Sequence, residues 1–349
     1  MLFEKMLPKR NMLGFKEIIL CFFAIITSLV LAEALYRVWE YNVYDRVVAE
    51  YKDNLFFLDR TKPYMVRMRP DASRTNHVFP GSRALWSYHT NRVGFRGPAT
   101  FKEKALRILI LGDSYTFGWA VNDDEAYPGI LEKYLTDSGV QASVLNAGVP
   151  GFSTIQEEAL LKEIAPKAKP HVVILSYVMN DAEHQQRAPV PPWLKFKGHF
   201  LWSFQAFRNT SKALNYVEGF EPQSWKWRAS RNALDGIRMY CEKEDIRLII
   251  FILPGFQREF DASYPLKIIH QKVSEWGKEV HVPTFDLFPY FEGKNHLDYI
   301  VPGEGHPNAR AHREFARIMA EKMQPFIIPT KVLRDERFTE EQGMTAASF

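Results

Sequence analysis

The chain has 349 residues, 46% hydrophobic and 25% charged, which supplies one large domain with accessory segments and excludes a disordered chain. Its formal net charge of +4 is small for this length, and no basic stripe interleaved with stacking aromatics occurs, so no nucleic-acid partner is expected. Two cysteines, Cys21 and Cys241, make neither a disulfide framework nor a zinc site.

The first element is Ile18 to Ala32, uncharged and mostly apolar, preceded by Lys5, Lys9, Arg10 and Lys16 and continued through Glu33, Tyr36 and Trp39. Its uncharged core is shorter than the roughly 20 residues of a usual span. Glu33 near the end reaches the membrane interface, however, and Tyr36 and Trp39 suit that depth. The reading is a single transmembrane anchor over 17–38, with a cleaved signal peptide or a buried amphipathic helix as alternatives. Leu20 directly before Cys21 argues against lipid attachment there. The positive-inside rule then leaves residues 1–16 in the cytoplasm and the remaining chain facing the cell envelope.

Residues 39–100 read as a juxtamembrane stalk and a lead-in strand. Tyr41, Tyr44, Val47, Val48 and Tyr51 have helical spacing, so 40–66 is expected as a juxtamembrane helix or stalk, and Trp86 to Gly97 as a short strand and glycine turn. From 101 to 328 short apolar runs alternate with longer amphipathic ones, the pattern of an α/β domain with a helix-covered parallel sheet. Five strands are expected at 106–111, 142–146, 171–177, 246–253 and about 280–285. Helices are expected at about 125–138, 154–167, 228–244, 263–277 and 308–324. An aromatic insertion at about 182–227 interrupts this rhythm and reads as an acyl- or glycan-binding wall, a patch on the juxtamembrane segment, or a satellite core. Residues 329–349 are a polar tail.

Four motifs fall near successive strand ends, where an open parallel sheet forms its ligand crevice. They are Gly112-Asp113-Ser114, then Asn146-Ala147-Gly148-Val149-Pro150-Gly151, then Val178-Met179-Asn180-Asp181, and finally Gly303-Glu304-Gly305-His306-Pro307-Asn308. With these blocks, residues 86 to 325 resemble the SGNH hydrolase superfamily of GDSL-type esterases. The resemblance implies a three-layer α/β/α fold on a five-stranded parallel sheet. It implies Ser114 as nucleophile, His306 as base, and an oxyanion hole made of the Ser114 N–H, the Gly151 N–H and the Asn180 amide. Gly148 is the alternative to Gly151.

Physical chemistry agrees with that assignment. A serine hydroxyl needs a base to become nucleophilic, and preorganised donors stabilise the developing oxyanion by roughly 2.7–4 kcal/mol each. The sequence departs from the family pattern at two places: Val178 stands where a glycine is usual, and Gly303 where the orienting aspartate is usual. Glu304 is the preferred replacement acid, with Asp298 or a backbone carbonyl as alternatives. Asp113 and Asp181 are expected to hold loops, and Asn308 to cap the last helix. His89, His184, His199, His270, His281, His296 and His312 lack metal-like spacing and read as ordinary surface or loop histidines.

The expected function is a membrane-anchored serine ester hydrolase that works through an acyl-enzyme on an envelope glycan or lipid ester, with no cofactor or metal. O-acyl transfer to an envelope polysaccharide and a non-catalytic envelope assembly or glycan-binding role are the alternatives. The missing aspartate at 303 motivates the last of these.

Overall fold

The structure, a computed structural model, describes residues 15–51, 55–59, 61–64, 66–78, 85–103, 105–183, 216–221, 223–302 and 305–327. The chain divides into two compact units, residues 1–51 with 188–210, and residues 52–187 with 211–349.

In the first unit the described residues form one helix, α1 (Phe15–Tyr51). Its described apolar side chains are exposed, among them Leu20, Phe22, Phe23, Leu29, Leu31 and Leu35. Among the described residues no helix is long and apolar enough to cross a membrane. The expected span at 17–38 includes side chains at 18 and 36–38 that lie outside the described ones.

The helix α1 ends at Tyr51, so of the juxtamembrane helix or stalk expected over 40–66 only the part to Tyr51 is helical, and Phe56–Leu58 in the second unit is a strand. A short antiparallel pair follows, β1 (Phe56–Leu58) with β2 (Val66–Met68). A second pair, β3 (Ser73–Val78) with β4 (Leu85–His89), contains the expected lead-in strand. Trp86 and Tyr88 alternate inward along β4 while Leu85 and His89 stay exposed, the period of a half-buried strand.

The main sheet is parallel and has five strands: β5 (Leu106–Gly112), β6 (Ala142–Gly148), β7 (Val172–Tyr177), β8 (Arg247–Ile252) and β9 (Thr284–Asp286). Their near-continuous apolar runs reflect cover on both faces. The strand order is β6-β5-β7-β8-β9, so the chain steps one way from β5 to β6 and the other way thereafter. Right-handed crossovers then put α3 (Tyr127–Asp137) on one face. The same rule puts α4 (Thr154–Ala168), α5 (Trp225–Lys243) and α6 (Lys267–Glu279) on the other. The last helix, α7 (Ala309–Ile327), packs on α3, and α4 packs on α5. The reversal at β5 opens a crevice at the carboxyl ends of β5 and its neighbours.

The strands follow the expected positions except the last, which starts at Thr284 because α6 and its closing turn occupy the preceding residues. Helix α5 begins at Trp225, earlier than the expected 228, because Ser224 Oγ accepts the Lys226 N–H at 3.3 Å and caps it. Within the aromatic insertion, Phe220 is buried against Tyr177 and Trp227, with ring centroids 6.3 and 5.5 Å apart, and so joins the main core rather than a separate satellite. Trp193, Phe196, Phe200, Trp202, Phe204 and Phe207 lie outside the described residues, as does the tail from 328.

Candidate active site

Strand β5 ends at Gly112, and the chain turns at once into a single helical turn, α2 (Ser114–Phe117). Asp113 caps that turn, its Oδ1 accepting the Tyr115 N–H at 2.9 Å. Gly148 at the end of β6 lets α2 lie directly on the strand ends, since a Cβ there would stand 2.4 Å from the Phe117 nitrogen. Gly148→Ala is therefore expected to cost about 1–3 kcal/mol by overpacking and to lower kcat by displacing Ser114. Urea unfolding and ester kinetics on the same sample check both effects.

The Ser114 Oγ lies 2.8 Å from His306 Nε2 and 3.2 Å from Asp113 Oδ2. His306 comes from the loop before α7. There the Val301 N–H donates to the His306 carbonyl at 2.8 Å, and Asn308 Oδ1 caps α7 through the N–H groups of Arg310 and Ala311 at 3.0 and 3.2 Å. Asn308 thus caps the last helix as the sequence implies. The imidazole is flanked by Tyr115 and Trp119, at centroid distances of 5.7 and 6.4 Å, and Tyr115 rests on the buried Phe256 at 6.3 Å. These aromatics restrict the base to orientations that reach Ser114.

Of the expected acids, Glu304 lies outside the described residues, as does Gly303. Asp298 directs its carboxylate at Arg310, Oδ2 to Nη1 3.3 Å, and is half exposed.

Val149 to Phe152 form a β-turn closed by the Phe152 N–H on the Val149 carbonyl at 3.0 Å. Pro150 and Gly151, with φ +81°, occupy its central positions, the proline-glycine pair that a type II turn favours. The Gly148 N–H is taken by Asn146 Oδ1 at 2.9 Å, whereas those of Gly151 and Ser114 have no acceptor among the described residues. Of the two candidate glycines, Gly151 therefore has the available donor. Asn180 stands in the turn after β7, its Nδ2 donating to the Phe152 carbonyl at 3.3 Å. Gly112 and Gly148 are paired in register, so Ser114 emerges between the Gly151 turn on one side and the Asn180 turn on the other. A buried hydroxyl bonded to an imidazole, with free N–H donors on adjoining turns, is equipped for attack on a carbonyl carbon.

The sequence pattern of the GDSL-like lipase/acylhydrolase family matches residues 110–314, which hold Ser114, Gly151, Asn180 and His306. The chain belongs to that family. It is an ester hydrolase by that membership. Among solved structures it is similar to the lipase/acylhydrolase from Enterococcus faecalis, 18% identical over 64% of this chain and 98% of that one, with a TM-score of 0.43. It is also similar to TesA, 15% identical over 62% of this chain and 98% of that one, TM-score 0.42. A lipolytic protein of the G-D-S-L family from Desulfitobacterium hafniense is 14% identical over 62% and 99% of the two chains, TM-score 0.41. No curated protein matches the chain.

Several residues of this acylhydrolase escaped the sequence reading. Arg96 is buried, and its guanidinium donates to the carbonyls of Phe117, Gly118, Val121 and Ser87 and to Asp123 Oδ1. It thereby fixes the chain leaving α2. An arginine within an apolar stretch just after the Gly94 turn was the only signal available. Two histidines read as ordinary surface or loop residues are instead buried. His270 bonds Asp286 Oδ1 at 2.6 Å. His312 stacks on Tyr127 at 5.9 Å, and burial pushes its pKa down to about 3. Both lie on the inward faces of α6 and α7, which the helical spacing of the apolar residues alone did not assign. His89 pairs with Asp123 at 2.6 Å, and His184 and His199 lie outside the described residues.

Burial raises the Asp113 carboxyl above its ordinary value. The Tyr115 N–H, the nearby His306 and the side chains of Asn180 and Ser114 pull it back. Asp113 and Asp181 both hold their turns, the latter by accepting the Val178 N–H on Oδ2 at 2.6 Å.

Proposed function

We propose that this family member hydrolyses its ester through an acyl-enzyme on Ser114, and the 2.8 Å contact between Ser114 Oγ and His306 Nε2 carries the reading. Ser114 Oγ attacks the ester carbonyl carbon while its proton passes to His306 Nε2. The resulting oxyanion accepts hydrogen bonds from the Ser114 and Gly151 N–H groups and the Asn180 amide. Collapse breaks the bond to the alkoxide, which leaves with the proton from His306. Water then attacks the acyl-serine, giving its proton to His306, and the acid departs as Ser114 recovers its hydrogen. Glu304, two residues before the base, is assigned to hold the His306 tautomer.

The substrate class is a small O-acyl group on an envelope glycan or a lipid ester. The catalytic region faces the envelope and is held at the membrane by α1. What supports the last point is a helix whose described side chains from Ile19 to Ala32 are exposed and mostly apolar, after a basic segment. Recovery of the full chain in the membrane fraction after carbonate washing is the expected outcome. Recovery in the supernatant removes this part of the reading.

The test of the reaction is turnover of p-nitrophenyl acetate, butyrate and octanoate, with mass spectrometry of the enzyme after a fluorophosphonate. One adduct on Ser114 and preference for a short or long acyl chain are expected; absence of both turnover and adduct rejects the mechanism. Supplying an acyl donor with and without a glycan acceptor separates hydrolysis from transfer. Asn180→Ala is expected to lower kcat by about 10²–10³ with little change in KM, because its amide acts on the oxyanion that forms after binding.

A further inference from the structure

Beneath Ser114 lie three carboxyl groups that take no part in the acyl-transfer steps. Asp113 precedes the serine, Asp181 closes the turn carrying Asn180, and Glu157 lies in the first turn of α4. They are exposed by 3%, 1% and 0%. Asp113 and Asp181 each receive a backbone N–H, from Tyr115 and Val178. Both carboxyl oxygens of Glu157, and Oδ1 of Asp181, have no partner among the described residues.

An ionised carboxylate in such a place loses its hydration with no donor in return, a cost of several kcal/mol, so a proton is retained in the group. Burial, and then the charge of Asp113, hold Glu157 well above the usual carboxylate range. Burial and Glu157 raise Asp181 as well, but the Val178 N–H favours its ionised form. The proton therefore stays on Glu157, the only one of the three without a donor.

Glu157 is also tied to the loop that aims Asn180. Thr154, which starts α4, donates both its N–H and its Oγ1 hydroxyl to the Asp181 carbonyl, each at 3.3 Å. The Glu157 N–H bonds the Ser153 carbonyl at 3.1 Å in the same turn of chain. Among the described residues, the titratable groups that face Glu157 are Asp113 after β5, Tyr127 on α3, and Tyr177 and Asp181 at the end of β7; α5 contributes the neutral Ser230. All are acids or hydroxyls, so a second negative charge there meets repulsion with no cation to relieve it.

We propose that Glu157 is a positioning residue for ester hydrolysis: as a neutral acid it keeps the Asp181 turn, and with it the Asn180 amide, in place, and its loss of that proton opens the turn and shuts acyl transfer off. The inference rests on the roles proposed for Ser114 and Asn180. The sign follows from linkage. A carboxyl whose folded pKa is raised contributes fully below its unfolded value, and that contribution is lost as pH rises toward the folded value. Wild type therefore loses melting temperature relative to Glu157→Gln as pH rises from the ordinary glutamate pKa of about 4.3 toward the raised value in the fold.

The experiment is the pH profile of kcat for p-nitrophenyl acetate on the full chain, each point normalised to the fraction of Ser114 labelled by a fluorophosphonate. Wild-type kcat is expected to fall about tenfold per pH unit once pH exceeds the raised Glu157 pKa. In Glu157→Gln that limb moves up by more than about one pH unit, while neutral-pH turnover is rescued relative to Glu157→Ala. Asp181→Asn retains an acceptor for the Val178 N–H and removes the facing charge, so it shifts the limb in the same direction. A merely structural role changes melting temperature but leaves the three normalised profiles superimposed, and superposition overturns the proposal, as does a wild-type profile without that fall. Failure of the fluorophosphonate to label wild type instead overturns the serine mechanism itself, and this inference with it.

Discussion

Ser114→Ala and His306→Ala are each expected to lower kcat for p-nitrophenyl acetate by roughly 10⁴–10⁶ with little change in KM. The physical reason is the 2.8 Å contact between Oγ and Nε2. Removing either atom removes proton transfer in the same step, so the double variant is expected to lose no more than the worse single one. Ser114→Ala also loses the fluorophosphonate adduct, while His306→Ala keeps the target oxygen and labels slowly. Wild-type rates in Ser114→Ala would place the nucleophile elsewhere. Neither change creates a large cavity in the sheet core, so melting curves close to wild type separate loss of chemistry from loss of fold.

Arg96→Ala is expected to lower stability by about 3–5 kcal/mol and kcat with it. The five hydrogen bonds of the guanidinium tie together Ser87, Phe117, Gly118, Val121 and Asp123, and its side chain is 2% exposed. Without it, buried carbonyls at the exit of α2 lose their donors, and the segment after Ser114 loses its anchor. Arg96→Lys keeps the charge but replaces a planar fork with a compact ammonium, so it recovers only a minor part. A loss of about 4 kcal/mol corresponds to a fall of roughly 8–16 °C in Tm for a domain of this size. A Tm within about 2 °C of wild type would show that the α2 exit holds itself.

The two substitutions differ in what they disturb. In the proposed mechanism Ser114 and His306 lie at the reacting atoms, whereas Arg96 acts only through the backbone that carries Ser114. The first pair is thus expected to separate kcat from stability, and the second to couple them. Buried Asp113 belongs with Arg96 in this respect, because its 2.9 Å bond to the Tyr115 N–H sets the start of the same helical turn.

Much of the fold was legible because its signals are local. The run Leu106-Arg107-Ile108-Leu109-Ile110-Leu111 is a strand buried on both faces, and a small-residue turn after it puts a serine at a strand end. Asn308 after Pro307 announced its cap, since an asparagine side chain satisfies the first free N–H groups of a helix wherever the chain starts one. Of the helix or stalk expected over 40–66, the helical alternative holds to Tyr51, and beyond it pairing between two short strands outweighs a few aromatics at helical spacing.

The sequence by itself therefore determined the order of strands and helices, the parallel sheet, the family and the four blocks that carry Ser114, Gly151, Asn180 and His306. Only the tertiary structure decided which donors are free. Gly148 and Gly151 look alike in sequence, but folding occupies the first N–H with Asn146 and leaves the second without an acceptor among the described residues. It alone decided that Arg96 and His312 are interior, and that the Glu157 carboxyl is buried with no hydrogen-bond partner among the described residues. The physical reason is that propensity and periodicity are properties of neighbours along the chain. Burial and hydrogen-bond satisfaction are properties of neighbours in space, which exist only once β5, β6 and β7 have been laid side by side.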